Sequence, residues 1–328
     1  MNNMKMNSQM KRAGWGLVAG MLAPGAAWAC ACGCGVFEVG TSSMLPDGPG
    51  GTAFLSYAFQ DQNQNWSDSS KAPAANNDDK EIRTDFISAG LQYMFNRSWG
   101  VEAELPFAYR NFKTVTANPN VPAGTVASIN WFSLGDIRLK AIYTGFSPDL
   151  SSGLDFGLRL PTGSFSHENA YADVDRDSEI GSGSTDVLLG GFHRGTFGQS
   201  QNFGWFAQAE ADLPVLTQAD YRPGFELDAA AGVEYHGFWL GRLNISPLAQ
   251  VIVSERTRDL GNDAAGGANG GNNGVNSGYT RVLLSPGIEL HLHPVRLYAD
   301  VEIPVFDHVA GNQLVAPALF KLNLSYMF

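Results

Sequence analysis

The chain has 328 residues, 16% of them charged, and a formal net charge of −11. That balance argues against a nucleic-acid partner, whose phosphates need clustered Lys and Arg. After residue 29 no apolar run reaches spanning-helix length, which argues against a helical membrane protein, while 38 glycines suit the turns and loops of a single β-rich domain.

Lys5, Lys11 and Arg12 precede an apolar stretch from Ala13 to Ala29 that ends Ala27-Trp28-Ala29. A cationic start, an apolar middle and a small-x-small end predict a secretory signal peptide over 1–29. Residues 30–51 follow as a Gly-rich segment, expected in the periplasm or the lumen, and hold all three cysteines as Cys30-Ala-Cys32-Gly-Cys34. Alternating thiolates suit Cu(I) or Zn(II), the two candidate cofactors of this chain. Oxidation to a disulfide in an exporting compartment and acylation of Cys30 are the alternatives.

From residue 52 onward the chain reads as one β domain, 52–328. Period-two patterning predicts strands near 52–60, 83–96, 98–112, 132–146, 152–161, 184–195, 203–214, 223–236, 239–254, 279–293, 295–305 and 316–328. Long polar links are expected at 61–82, 113–131, 162–183 and 255–278, and shorter ones at 215–222 and 306–315. Tight turns are expected at Asn96-Arg97, Pro148-Asp149, Gly237-Phe238 and His293-Pro294. About twelve strands, with long links at one end and short turns at the other, predict an all-β antiparallel transmembrane barrel of the Gram-negative outer membrane. A soluble β-sandwich also alternates, but it buries its apolar face between sheets and needs no such division of loop lengths.

Parity assigns the faces. Val101, Ala103, Leu105, Phe107 and Tyr109 are expected to meet lipid, as are Ile137, Leu139, Ala141 and Tyr143. Glu102, Glu104, Arg138, Lys140, Arg159, Glu210, Asp212, Glu226, Asp228, Asp300 and Glu302 then fall on the lumen side. A charge facing mid-bilayer costs about 2–4 kcal/mol, so the assignment is strongly constrained. Glu102 and Glu104 lie one strand from Arg138 and Lys140, with Arg159 beyond, which suggests a cross-strand ladder. The carboxylate-rich side suggests a cation-favouring passage. Charges that only brace a narrow barrel are the competing reading.

His291 and His293 share a strand face with Glu289 near the periplasmic rim and are the remaining candidate metal ligands. A polar rim of hydrated imidazoles is the plainer explanation. Asp173, Asp175, Asp177 and Glu179 alternate in an outer link and are expected to form a solvated acidic loop, since the turn glycine of a calcium loop is missing from its required place. No nucleophile motif stands in a strand-to-helix context, so an enzyme is not expected.

The final segment alternates Phe320, Leu322, Leu324, Tyr326 and Phe328 with Lys321, Asn323, Ser325 and Met327. It resembles the terminal signal strand of outer-membrane barrels, which implies the barrel-assembly machinery as a partner, alongside outer-membrane lipid and lipopolysaccharide. Leu134-Gly-Asp136-Ile-Arg-Leu-Lys-Ala-Ile-Tyr143, Leu160-Pro-Thr162-Gly163-Ser164 and Gly181-Ser-Gly-Ser-Thr-Asp186 are similar to motifs of the outer-membrane transporter family named for the meta-pathway of phenol degradation. The resemblance covers roughly residues 83–328. It implies a porin-like channel or transporter for a small-molecule solute, often hydrophobic or aromatic, and brings no catalytic residues. Soft-metal binding or uptake through Cys30, Cys32 and Cys34, and a structural barrel without transport, are the alternatives.

Overall fold

The computed structural model describes residues 45–46, 48–116, 118–169, 174–198, 201–261 and 276–328. The expected leader 1–29, Cys30, Cys32, Cys34 and Asp173 lie outside the described residues.

Twelve antiparallel strands close on themselves. They are β1 (Gly50–Gln62), β2 (Asp79–Met94), β3 (Trp99–Val115), β4 (Val126–Leu134 continued by Ile137–Tyr143), β5 (Ser152–Leu160), β6 (Ser184–Phe197), β7 (Phe203–Thr217), β8 (Glu226–Tyr235), β9 (Leu243–Arg256), β10 (Tyr279–Leu292), β11 (Val295–Val315) and β12 (Leu319–Met327). Each pairs with its neighbours in the chain, and β1 pairs β12, with Leu55 opposite Leu324 and Phe59 opposite Phe320. Two 2.8 Å bonds between the backbones of Gly51 and Phe328 finish that seam. Closure pairs the first strand with the last, as a sheet in hydrocarbon requires, while the Val126–Leu134 part of β4 pairs β3 alone.

The faces divide as lipid demands. Phe320, Leu322, Leu324 and Tyr326 are 41–51% exposed, whereas Lys321, Asn323 and Ser325 between them are at most 5% exposed. Aromatic pairs gather near the short turns: Trp99 with Tyr143 at 4.7 Å, Phe203 with Tyr235 at 5.0 Å and Tyr235 with Phe238 at 4.9 Å. Such rings mark the interface level of a membrane barrel.

Several boundaries differ from the sequence expectation. Residues 306–315, expected as a link, belong to β11, which pairs β10 up to Val309 and then meets the short strand Gln64–Asp68. Asp307, Gly311 and Asn312 carry turn chemistry, but Asp307 is held by Arg281 at 2.8 Å and Gly311 takes a φ of 70° where the register shifts. The turn expected at Gly237-Phe238 sits at Gly241-Arg242 instead, because Phe238–Leu240 pairs back onto β9. The 113–131 link is shorter than expected, since β3 and β4 pair from Val115 opposite Val126.

β4 is broken at Gly135-Asp136, and its side-chain phase flips there: Phe132 is outward above the break and Leu139 below it. The break turns Asp136 inward as the anchor of the β5–β6 loop. Asp136 Oδ1 accepts from the Gly163 amide at 2.9 Å; Oδ2 accepts from the Ser182 amide at 2.8 Å and its hydroxyl at 2.6 Å. Thr162 adds a 2.8 Å bond to the Gly135 carbonyl. A Cβ on Gly163 would lie 2.6 Å from the Gly181 Cα, so only two glycines allow the loop ends to meet. The three resembling motifs are thus one fastening, which draws the β5–β6 loop into the barrel.

Candidate functional site

The interior is crossed by ion pairs. Arg138 on β4 passes over β5 and β6 to reach β7, with Nη1 3.2 Å from Glu210 Oε1 and Nη2 3.5 Å from Asp212 Oδ2. Lys140 bonds Glu210 and lies 4.0 Å from Glu102. Arg159 pairs Asp186 and reaches Asp212 at 2.9 Å. The span is possible because the inner wall is bare at Gly157, where a Cβ would stand 2.9 Å from Lys140 Cγ. The expected ladder between adjacent strands is therefore in part a chord through the lumen. A carboxylate of this chord is matched by a cation, so Glu210 and Asp212 offer less net negative field than their residue types suggest.

The rest of the charged lumen lies on the other bank. Lys321 Nζ is 2.9 Å from Glu302, within the field of Asp300 and Asp228. Asp300 Oδ2 accepts from Gln250 and Tyr298, each at 3.0 Å or less. Glu226 accepts from the Tyr279 hydroxyl at 2.7 Å. Glu104 completes the set beside the chord, where it lines a cavity with Arg138 and Arg159.

That cavity, about 170 Å³, has the chord as its floor and folded extracellular loops as its ceiling. Arg176 is the centre of the ceiling, its guanidinium 4.0 Å from the Phe165 ring and 4.6 Å from the Tyr221 ring. Tyr221 in turn donates to Asp259 at 2.6 Å, and Arg256 meets the same carboxylate at 2.8 Å. Arg110 on β3 ties the ceiling to the wall by bonding the carbonyls of Ser178 and Glu179. Phe86, Pro106, Ala108 and Ile180 add apolar surface.

The acidic loop expected in solvent is instead part of this ceiling: Asp177 is 4% and Glu179 1% exposed. The reason is that donors await Glu179 there. It accepts from the His167 amide and from His167 Nδ1 at 2.7 Å, while the imidazole stacks on Trp131 at 4.9 Å. Burial nevertheless holds the Glu179 carboxyl above the usual carboxylate range, against the opposing pull of those bonds.

His291 and His293 lie at the β10–β11 turn with ring centroids 6.5 Å apart. Among the described residues no group of three His, Cys, Asp or Glu side chains converges in a metal-holding arrangement. Asp186, Arg176 and Tyr221 are central to the site but escape strand patterning. Asp186 falls near the start of the predicted strand 184–195 but is signalled by its motif, while Arg176 and Tyr221 fall in the expected links 162–183 and 215–222, where parity says nothing.

A closed twelve-stranded barrel with a lipid-facing apolar wall and a charged interior is the architecture of bacterial outer-membrane proteins. The COG4313 outer membrane channel from Pseudomonas putida F1 shares the fold, with a TM-score of 0.60 at 12% identity over 89% of this chain and 100% of that one. The β domain of the Bordetella autotransporter BrkA is similar at a TM-score of 0.52 and 16% identity over 85% of this chain and 100% of that one. No family model and no curated protein sequence matches the chain.

Proposed function

We propose that the protein is an outer-membrane channel for small solutes, closed by its own extracellular loops. The observation that carries this reading is the cavity between the Arg176 ceiling and the Arg138–Glu210 floor, inside a closed barrel. At about 170 Å³ it suits a single-ring molecule. Guanidinium groups and the Phe86 ring favour planar, amphipathic compounds, for which cation–π and stacking contacts are available. The motif resemblance to the phenol-pathway family supports this class of solute, and the fold shared with an outer membrane channel of Pseudomonas putida supports a channel.

The test is conductance in planar bilayers, with the native protein and with Arg110→Gln, which unties the ceiling from the wall. The native channel should show small or rare openings, the variant larger ones, and single-ring solutes should reduce the variant's current. Absence of current in both, with correctly folded barrels, would exclude the channel reading and favour a structural barrel.

A further inference from the structure

The wall of the barrel is split in its extracellular half, between two arms of β11. Up to Glu302 this strand pairs β12, with Glu302 opposite Leu319. Beyond that point it rises along β10 to Val309, and its last residues, Asn312–Val315, come back down along Gln64–Ser67. The chain then re-enters the wall through Ala316-Pro317 at Leu319. Among the described residues no ladder pair joins the rising arm, 303–308, to the descending one. Pro304 on one lip and Pro317 on the other have no amide hydrogen to donate across the split. A cleft of about 330 Å³ lies between the lips.

The lining of this cleft is divided by chemistry. Val305 is the extra residue of a bulge, since Pro304 faces Leu283 and Phe306 faces Val282. A bulge interrupts the alternation of faces, and Val305 and Phe306 are both turned outward, 62% and 45% exposed. Together with Ala316 and Pro317 they make an apolar floor. Two ionisable residues line the cleft: Asp307, already held by Arg281 at 2.8 Å, and Lys71, which is exposed. No acid pairs Lys71 among the described residues, so the cleft carries an unmatched positive charge. Trp66 lines it too, and its buried indole N–H has no acceptor among the described residues.

The height of the cleft follows from β12. Its lipid-facing row from Phe320 to Phe328 covers eight residue steps, about 26 Å along the strand and about 20 Å along the barrel axis at a tilt of about 40°. An apolar band about 25 Å tall therefore ends a few ångströms above Phe320, at the level of Ala316 and Pro317. Lys71 pairs with Trp66 in the short hairpin above, on the headgroup side of that boundary.

We propose that the cleft is a binding site for lipopolysaccharide of the outer leaflet. An acyl chain lies against Val305, Phe306 and Pro317, and a phosphate of the same molecule sits on Lys71. The indole of Trp66 is placed to donate to an ester or headgroup oxygen, as tryptophans at membrane interfaces do. The site is on the outer wall, separate from the bore, and it holds whether or not the protein conducts.

Photocrosslinking in cells tests it on the full-length protein. The photoreactive p-benzoylphenylalanine replaces Phe306 or, as a control on the far wall, Phe132, which is 62% exposed and lies on the lipid face. Heat-modifiable barrels are isolated after irradiation and probed for lipid A. An adduct is expected at position 306, several-fold stronger than at 132. Lys71→Gln should lower it several-fold and Lys71→Arg should preserve it. Equal adducts at the two positions would mean ordinary surrounding lipid and would overturn the site, as would no adduct at 306 or an adduct with phospholipid alone. An adduct indifferent to Lys71→Gln would remove the phosphate contact and reject the site as well.

Discussion

Arg138 and Glu210 meet at 3.2 Å although two strands separate β4 from β7 on the barrel wall. Both side chains are less than 10% exposed, so the pair is screened little by water. Removing one partner of such a pair strands a buried charge, at a cost of about 3–5 kcal/mol. Glu210→Gln should therefore lower barrel stability strongly, read as the urea midpoint of the heat-modifiable gel shift. Lys140→Met together with Glu210→Leu should recover much of the loss. A midpoint unmoved by Glu210→Gln would mean that the chord bears no load.

The seam supplies a second expectation. Phe328 is 62% exposed, in line with Tyr326 and Leu324 on the outer face, and its backbone clasps Gly51. Phe328→Asp should place a charge in the lipid-facing row and reduce the heat-modifiable barrel recovered from outer-membrane fractions. Native recovery would deny the last residue any part in assembly.

The fastening at Asp136 can be cut without touching the chord. Asp136→Ala leaves the Gly163 amide and both Ser182 donors without their acceptor, a loss of about 1–3 kcal/mol for each buried donor left unmet. Protease should then nick the β5–β6 loop of folded barrels that it spares in the native protein. Unchanged resistance would show that Arg110 alone seats the loop.

The raised Glu179 carboxyl sets the sign of a pH response. A carboxyl that binds its proton more tightly when buried than when exposed stabilises the buried state at low pH, and that contribution is lost as pH rises through the raised value. The ceiling should accordingly close more firmly on acidification through the range just above the ordinary Glu value. Channel openings should become rarer there, and Glu179→Gln should flatten the trend. Openings that grow more frequent in acid, in the native protein alone, would reverse the assignment.

Charge selectivity gives the last test. Glu226 and Asp228 lie outside the Arg138–Glu210–Arg159 chord, and Glu226 has a neutral hydroxyl as its hydrogen-bond donor. Glu226→Gln with Asp228→Asn should shift reversal potentials away from cations, more than Glu210→Gln does. An equal or larger effect at Glu210 would place the ion path along the chord.

The strands are legible in the sequence because lipid enforces a strict period of two, as in the run from Phe320 to Phe328. The direction of Arg138 and Glu210 is legible for the same reason. Their meeting is not, because parity states which way a side chain points and nothing of how far it travels across a lumen. That distance depends on Gly157, whose missing side chain leaves the space. The ceiling is less legible still. Asp177 and Glu179 have the composition of a solvated loop, and only the three-dimensional position of His167 and Arg110 makes burial affordable.

Gly163 and Gly181 touch backbone to backbone beneath the ceiling, with Asp136 and Thr162 binding the strands around them. A scan of tolerated substitutions would rank these four among the least replaceable positions of the extracellular half. Such a pattern usually directs attention to a ligand. Here those four positions trace a clasp, while Arg176, Phe86 and Ile180, which line the cavity of the proposed channel, lie outside it.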